Sequence, residues 1–243
     1  MEEPILRRTW AEIDLDALAH NYQQARRKIG PNVKYLGVVK ADAYGHGAIQ
    51  VSRKLEQLGA DYLAVSSLDE AKELRRAGIQ APILILGHTP PAMVPQLIEY
   101  RITQAVSALA KAEAYSAAAV ESGGTLKVHI KVDTGMSRLG FRVDEAAELA
   151  DYLRTLKEVR PVLVMSHLAA SDTPALDDFT HEQARRFHEA TESMKAVFPG
   201  LKTSLTNSPG LLCWPSYVGD LARPGVTLYG GNPLHGTDRA KLG

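Results

Sequence analysis

The feature that most constrains the fold is a repeat of short apolar runs, each followed by a segment of helical character, from residue 33 onward. Most runs are apolar throughout, which is typical of parallel strands buried on both faces. Eight strand-then-helix repeats in a chain of 243 residues predict an α/β fold, a (β/α)8 TIM-like barrel. A doubly wound open sheet is the alternative, because a count of strands does not prove closure. The runs cover residues 33–41, 62–66, 82–86, 102–106, 126–132, 162–165, 201–206 and 221–228.

The segment before the first repeat predicts two more elements. Residues 9–14 alternate apolar and polar side chains, which indicates a half-exposed strand. Residues 15–29 have helical spacing, and Gly30-Pro31 ends that helix. We therefore assign residues 1–232 to one barrel domain with an N-terminal strand, and residues 233–243 to a tail.

Composition excludes several classes of function. Lys and Arg number 28 and so do Asp and Glu, so nothing favours nucleic acid or an anionic membrane as a partner. The single Cys213 excludes an internal disulfide and a multi-cysteine metal site, and the histidines have no metal-ligand spacing. No apolar segment has the length of a signal peptide or a membrane span. A cytoplasmic protein without a metal is the expectation.

Lys40 lies where the first apolar run becomes a glycine-rich loop, with Tyr44 just beyond it. A charged ammonium is costly at the end of a buried strand. One interpretation is a lysine whose ammonium extends back into water. The other is a partly desolvated amine with a lowered pKa that can form a Schiff base.

Other strand ends also carry polar residues, and active sites of such barrels lie at the carboxyl ends of the strands. Ser208 before Pro209 reads as an N-cap before a first-turn proline, with free backbone N–H groups, and Gly225 permits close backbone approach. A phosphate site there, with a Schiff-base lysine and two arginines, predicts pyridoxal 5′-phosphate as cofactor. The strand-end residues are Lys40, Lys131 and Asp133, Ser166 and His167, Asn207 and Ser208, and Arg223.

Each of these residues also has a purely structural interpretation. Arg138 and Arg223 could form salt bridges at a solvated rim, and His167 could be a satisfied core histidine. Asp172, Asp177 and Asp178 have the pattern of a solvated loop. Compatible chemistry at five independent strand ends favours a functional site over five separate coincidences.

The motifs resemble those of the alanine racemase family, from about residue 10 to the end of the chain. KADAYGHG at 40–47 resembles the cofactor-lysine signature, and KVDTGMSRLG at 131–140 resembles the second signature. Three shorter motifs follow in the family's order: SHLA at 166–169, TNS at 206–208 and RPGVTLYG at 223–230.

The resemblance implies a role for each matching residue. Lys40 would carry pyridoxal 5′-phosphate as a Schiff base and act as one of two catalytic bases. Arg223 would face the pyridine nitrogen, His167 would orient Arg223, and Arg138 would contact the cofactor's phenolic oxygen and the substrate carboxylate. Lys131 would be a candidate for carbamylation. The implied phosphate-binding residues are Tyr44, Ser208 and the backbone at Gly225 and Val226, with Asn207 and Tyr229 nearby.

The resemblance also implies interconversion of L- and D-alanine, D-alanine supply for peptidoglycan, and a homodimer. The family has a C-terminal β domain that provides the opposite-face tyrosine base from the partner subunit, and none of the nine tyrosines here matches its motif. We therefore expect a cofactor-binding barrel without its C-terminal domain, with weak or no turnover.

Two alternatives remain open at this stage. One is a non-catalytic single-barrel protein that stores or delivers pyridoxal phosphate, which the chain length favours but the Arg138 signature does not. The other is a decarboxylase of the same barrel class, which is disfavoured because Arg223 stands where a glutamate is expected opposite the pyridine nitrogen.

Overall fold

Eight parallel strands form a nearly closed barrel with helices around its outside. The computed structural model describes residues 9–234 and Gly236. A ninth, short strand, β6, pairs with the end of β5 outside the barrel path. The strands are β1 (Lys34–Val38), β2 (Tyr62–Val65), β3 (Ile83–Ile85), β4 (Ile102–Val106), β5 (Leu126–Asp133), β6 (Phe141–Arg142), β7 (Val159–Met165), β8 (Lys202–Ser204) and β9 (Leu221–Ala222).

The order of the strands confirms the barrel and shows that the open-sheet alternative is wrong. The order is β8-β7-β5-β4-β3-β2-β1-β9, and every pairing between these strands is parallel. The gap between β8 and β9 is bridged by the Asp220 amide, which donates to the Thr203 carbonyl at 2.9 Å. The Arg223 amide donates to the Thr206 carbonyl at 3.3 Å. The sheet therefore curls back on itself.

Most of the helices cover the outer face of this barrel. In the chain the helices alternate with the strands, as the repeats predict. They are α1 (Leu15–Ile29), α2 (Lys40–Gly45), α3 (Ala48–Gln57), α4 (Leu68–Arg76), α5 (Val94–Glu99), α6 (Leu109–Glu121), α7 (Ala146–Thr155), α8 (Asp177–Val197) and α9 (Ser208–Cys213). Unlike most of the others, α2 and α9 lie at the carboxyl ends of the strands. Short 3₁₀ turns lie at Pro91–Met93, Pro174–Leu176, Pro215–Tyr217 and Val226–Tyr229.

Two separate apolar layers explain why the strands lack polar alternation. Neighbouring residues of a strand point to opposite faces. In β2, Leu63 and Val65 pack outward beneath the helices, whereas Ala64 joins the cluster inside the barrel. Burial of one such aliphatic side chain contributes roughly 1.5–3 kcal/mol. The inner cluster consists of Leu36, Val38, Ala64, Leu84, Ala105, Leu163, Met165 and Leu221.

The predicted N-terminal strand at residues 9–14 is wrong. These residues are exposed, Trp10 being 68% accessible, and none of them pairs with a strand. Alternation alone does not make a strand where no edge is available for pairing. Asp14 instead caps α1, and its side chain accepts from the amides of Asp16 and Ala17 at 2.8 and 3.0 Å. In the predicted 233–243 tail, residues 235 and 237–243 lie outside the described residues.

Two further boundaries differ from the sequence predictions. The last strand ends at Ala222 and not at residue 228, because Pro224 has no N–H for a ladder and the chain then forms a 3₁₀ turn. Asp177 and Asp178 belong to the first turn of α8 and not to a loop. Carboxylates are favourable there because the helix N-terminus is partially positive. Among the described residues, no helix is both long and apolar enough to span a membrane.

Candidate active site

A cavity of about 440 Å³ opens at the end of the barrel that holds the carboxyl ends of the strands. Because the strands are parallel, the residues that follow them converge at this end, although they are distant in sequence. The sequence-predicted residues that line the cavity are Lys40, Tyr44, Lys131, Arg138, His167, Asn207, Ser208, Arg223, Gly225 and Val226.

Tyr229 lies behind this lining. Its hydroxyl donates to the Val38 carbonyl at 2.7 Å. Its ring centroid is 5.1 Å from that of Tyr44 and 4.7 Å from that of His46. Burial, with the nearby Tyr44, raises the pKa of the Tyr229 hydroxyl, so it stays a donor. Tyr229 therefore supports the Tyr44 ring and fixes the end of β1.

The backbone after Lys40 forms a left-handed turn. Ala41 to Tyr44 have φ between 51° and 56°, although none of them is glycine. Such a conformation costs roughly 1–2 kcal/mol per residue, so other contacts must hold it. Asp42 provides one, because its carboxylate accepts from the Ala48 amide at 2.6 Å. The turn places Lys40 and Tyr44 at its two ends, and the Lys40 Nζ lies 6.0 Å from the Tyr44 ring centroid.

Glu70 provides the second contact to this turn. The SLDE pattern at 67–70 predicts a reciprocal capping box at the start of α4. The Glu70 amide does donate to the Ser67 hydroxyl at 3.3 Å. Its carboxylate, however, accepts from the Ala41 amide at 2.9 Å and from the amide and hydroxyl of Ser66 at 2.7 and 2.9 Å. Glu70 thus joins the ends of β1 and β2 directly beside Lys40.

Three donors meet at the hydroxyl oxygen of Ser208. It accepts from the Gly225 amide at 2.9 Å, the Thr227 amide at 3.4 Å and the Thr227 hydroxyl at 3.1 Å. A Cβ on Gly225 would lie 3.2 Å from the Tyr44 hydroxyl, so glycine leaves room for that phenol. These hydrogen bonds bring Ser208, Gly225 and Thr227 together as a small cradle of amides and hydroxyls beside the cavity.

Asn207, and not Ser208 as predicted, is the N-cap of α9. Asn207 has extended backbone angles and its Oδ1 accepts from the Gly210 amide at 3.0 Å. Ser208 is therefore the first helical residue and Pro209 the second. Because the Ser208 hydroxyl does not cap the helix, it binds the segment after β9 instead.

Arg223 is a buried guanidinium held by neutral acceptors. It is 7% exposed, and it donates to the Ser204 hydroxyl and to the carbonyls of Ser166 and Leu205. Among the described residues it pairs with no carboxylate, and its Nε–H has no acceptor. Burial lowers its pKa to about 10, so it remains protonated at neutral pH. Three of its five N–H groups are thus used, and the Nε–H and one Nη1–H remain for another acceptor.

His167 is neutral in this setting. Burial is the main cause, followed by the positive charges of Arg223 and Lys131, and together they lower its pKa to about 3. The Asn207 amide nitrogen lies 3.4 Å from His167 Nε2. Since the amide donates, Nε2 is the unprotonated nitrogen. No hydrogen bond joins His167 to Arg223 in the described part of the chain, so its orienting role stays a prediction.

Lys131 and Arg138 occupy the β5 side of the cavity. Burial first, then the charges of Arg223 and Arg138, lower the pKa of Lys131 to about 8. The Arg138 loop is shaped by Asp133, whose carboxylate accepts from the amides of Gly135 and Ser137 at 2.9 and 3.0 Å. Arg138 itself is exposed at the rim.

Gln183 on α8 joins two of the loops, and no sequence motif predicted a role for it. It donates to the Thr134 hydroxyl and the His167 carbonyl, both at 3.2 Å, and accepts from the Ala169 amide at 2.9 Å. A fully buried glutamine on the inward face of a helix is the signal that could have identified it.

The charged side chains that line the cavity are all positive. Lys40, Lys131, Arg138 and Arg223 face the cavity, and no Asp or Glu is among the lining residues. Like charges at close range repel each other and lower their own pKa values. An arrangement of this kind favours an anionic ligand that carries more than one negative group.

Comparison with known proteins gives the family. Residues 13–233 match the family model described as "Alanine racemase, N-terminal domain". The chain belongs to the alanine racemase family. It is 43% identical over 237 residues to the alanine racemase of Lawsonia intracellularis, covering 96% of this chain and 61% of that protein. It is 41% identical over 230 residues to that of Desulfovibrio desulfuricans, with coverage of 93% and 61%.

Solved structures agree with this assignment. The structure titled "alanine racemase [Clostridium difficile 630] complex with cycloserine" superposes with a TM-score of 0.91 at 33% identity. The match covers 96% of this chain and 65% of that chain. The chain thus corresponds to the N-terminal part of the family's proteins and spans less than two thirds of the length of these relatives.

Proposed function

We propose that the protein is a pyridoxal 5′-phosphate-dependent alanine racemase and that this chain forms its cofactor-holding barrel. One observation carries the proposal. Four cations and no carboxylate line a cavity in which Lys40 follows β1, while three donors converge at Ser208. Membership of the family supports alanine as substrate.

The residues present fit this cofactor. Its phosphate is an anion with several acceptor oxygens, which suits the cradle at Ser208, Gly225 and Thr227 with the Tyr44 hydroxyl beside it. Its ring nitrogen is an acceptor, which suits the unused Nε–H of buried Arg223. Lys40 would hold the cofactor covalently through its amine. Asn207 fixes the start of α9, and Val226 forms part of the wall.

The bound cofactor would supply an electron sink for the Cα–H bond of an amino acid. Arg223 keeps its own proton, because a guanidinium with a pKa of about 10 is a donor and not an acid at neutral pH. Arg223 would therefore donate a hydrogen bond to the ring nitrogen without protonating it, and the electron sink would be moderate. A moderate sink would favour return of the proton to Cα over side reactions such as transamination.

Arg138 and Lys131 would interact with negatively charged groups in the part of the cavity that holds the substrate. Arg138 at the rim would bind the substrate carboxylate. With a pKa of about 8, Lys131 has a sizeable neutral fraction at neutral pH. Its amine can add to carbon dioxide, forming an N–C bond and releasing one proton, and the resulting carbamate would pair with Arg138. Carbamylation would remove one of the four crowded positive charges.

Lys40 would remove and return the Cα proton on one face of the substrate. We propose that the base for the other face lies in the part of the relatives that this chain does not span. The chain alone is then expected to exchange the Cα proton but to racemise alanine poorly. A homodimer, a cytoplasmic location and delivery of D-alanine to peptidoglycan complete the proposal, supported by the resemblance to the family.

Alanine in heavy water tests this proposal. The chain saturated with pyridoxal phosphate is incubated with L-alanine, loss of the Cα proton is followed by NMR, and D-alanine is measured by chiral chromatography. We expect exchange with little D-alanine, and no exchange by Lys40→Met. Rapid D-alanine formation would refute the second base outside this chain. A cofactor-loaded chain with neither exchange nor racemisation would favour a non-catalytic binding protein.

A further inference from the structure

A second cavity of about 440 Å³ lies at the opposite end of the barrel, where the strands begin. It is bounded by the starts of β2, β4, β5 and β7 and by the ends of α4 and α5. Arg75, Arg101, Lys127 and Arg160 line it, and no Asp or Glu does. This end of such barrels ordinarily serves stability and not ligand binding, so the charge pattern requires a reason.

Two of these cations are direct neighbours. Lys127 of β5 and Arg160 of β7 are register partners in the parallel ladder. Like charges placed opposite each other in a sheet are destabilising. Within the described part of the chain, neither side chain has a hydrogen bond or an ion pair. The fold therefore keeps a repulsive pair that it does not neutralise.

Arg101 adds a third cation at a strained backbone position. It lies in a helix-to-strand turn with φ of 52°. Three other turns of this kind use glycine at positive φ: Gly59, Gly78 and Gly123. Glycine adopts this conformation without strain, whereas other residues pay for a Cβ there. The turn before β7 likewise has a non-glycine residue, Glu158, at φ of 58°. Arg101 thus places a cation at the cavity, although glycine would be less strained at this position. Its Nη2 reaches only Gln80, at 3.3 Å.

Arg75 forms the fixed wall of this cavity. Its Nε donates to the Tyr100 carbonyl at 2.9 Å, and its Nη1 donates to the carbonyls of Ile79 and Ala81, each at 2.8 Å. The nearby carboxylates are occupied elsewhere. Glu56 accepts from the amides of Gln80 and Ala81, at 2.7 and 2.6 Å, and Glu158 accepts from the Thr125 hydroxyl. Among the described residues, Glu56 and Glu158 therefore form no ion pair with the cations of this cavity, although the charge of Glu56 acts on Arg75.

The remaining walls of the cavity are apolar, and the flat ring of Tyr62 forms part of them. Pro82, Leu97, Ile98 and Val162 line the cavity together with the ring of Tyr62. A site with a few convergent cations and apolar walls suits a small ligand with a charged and an apolar part. We propose that this cavity binds a small organic phosphate. Lys127, Arg160 and Arg101 contact the phosphate, and the apolar body of the ligand lies against Leu97, Ile98 and Tyr62.

We expect this cavity to bind its ligand without catalysing a reaction on it. Lys127 and Arg160 are exposed to water, whereas Lys131 and Arg223 in the other cavity are half-buried and buried. The proposal is also independent of the racemase function, because it rests on residues at the other end of the barrel.

Calorimetric titration with adenosine 5′-monophosphate tests it, using protein whose first cavity holds pyridoxal phosphate fixed by borohydride reduction and from which unbound pyridoxal phosphate has been removed. We expect binding that weakens with salt, and adenosine at least about tenfold weaker than the nucleotide. The Lys127→Gln/Arg160→Gln double variant should bind at least about tenfold more weakly. Arg142→Gln, which alters an exposed arginine outside this cavity, should bind like the parent chain.

Arg101→Gly separates binding from folding. Glycine fits the turn, so this variant should unfold at the same denaturant concentration as the parent or a higher one, yet bind the nucleotide several-fold more weakly. Nucleotide binding that is unchanged in Arg101→Gly and in the double variant would overturn the proposal. Absence of binding, or binding of an acidic peptide in place of the nucleotide, would overturn it as well. If pyridoxal phosphate itself does not bind, these variants still report on this cavity alone.

Discussion

The two ends of the barrel carry cavities of similar size, both lined by four cations and no carboxylate, yet they differ in how far those cations are withdrawn from water. β5 shows the difference along one face. Lys127 is exposed at one end, buried His129 lies in the middle with a pKa of about 3, and Lys131 lies at the other end with a pKa of about 8. Burial lowers the pKa of a cationic side chain, so that the group can exchange a proton near neutral pH.

The backbone differs between the two ends as well. At the Lys40 end, four consecutive residues are left-handed, and the carboxylates of Glu70 and Asp42 hold the turn. At the other end, the described non-glycine residues in this conformation are isolated ones, Arg101 and Glu158. The Lys40 end therefore depends on specific side-chain anchors, whereas the other end tolerates substitution.

The largest expected effect is loss of the anchor at Glu70. Glu70→Ala removes an acceptor shared by the Ala41 amide and by the amide and hydroxyl of Ser66. Hydrogen bonds to a charged group contribute roughly 1.5–3 kcal/mol, so we expect a loss of about 3 kcal/mol in the free energy of unfolding. Urea denaturation measures it.

Glu73→Ala is the matched control for this change. Glu73 is an exposed glutamate of the same helix, and its substitution should stay within about 0.5 kcal/mol of the parent. Equal effects of the two substitutions would show that the turn after Lys40 does not depend on Glu70.

An intermediate effect is expected from the buried layer between the two ends. Burial, and then the charge of Arg223, lower the pKa of His129 from 6.5 to about 3, and its Nδ1 has no hydrogen-bond partner. Between these values the unfolded chain binds a proton that the folded chain does not. Stability is therefore lost as pH falls below 6.5.

His129→Leu should remove this contribution. Between pH 6 and pH 4.5 we expect the variant to lose about 2 kcal/mol less stability than the parent, at about 1.36 kcal/mol per pH unit. His167 contributes in the same direction in both proteins, so the difference reports His129. Parallel stability curves for the two proteins would contradict the low pKa.

The smallest effect is expected at the end that faces water. Lys127→Gln relieves the repulsion with Arg160 and should raise stability by roughly 0.2–1 kcal/mol at low salt. The gain should disappear at high salt, because salt screens exposed charges. Lys157→Gln, at an exposed lysine outside the strands, should show no such gain. A destabilised Lys127→Gln would mean that the pair is not repulsive.

The barrel could be predicted because its signal is local and repeated. Each apolar run needs burial on two faces, and the same pattern recurs along the chain. The errors fall where local pattern and tertiary context disagree. Residues 9–14 alternate as a strand does, but no strand edge is available to them. Residues 221–228 have a strand-like pattern, but Pro224 interrupts the ladder after Ala222.

The site residues could be placed at the cavity because parallel strands align their carboxyl ends. Their anchors could not. Glu70 looked satisfied by a local capping box, whereas its carboxylate reaches Ala41, 29 positions earlier in the chain. Ser208 looked like a cap, whereas its hydroxyl binds a segment 17 positions later. The partners of Glu70 and Ser208 lie far along the chain, and only the closed barrel brings them within hydrogen-bond distance.

Trapping the cofactor on its lysine tests whether Lys40 holds pyridoxal 5′-phosphate. The chain is loaded with pyridoxal 5′-phosphate, reduced with borohydride and digested, and the peptides are mapped by mass spectrometry. We expect a pyridoxyl group on Lys40. The Lys40→Met variant should carry no such group. A cofactor-loaded sample whose Lys40 stays unmodified, or whose label falls on Lys131 or Lys127, would contradict this prediction.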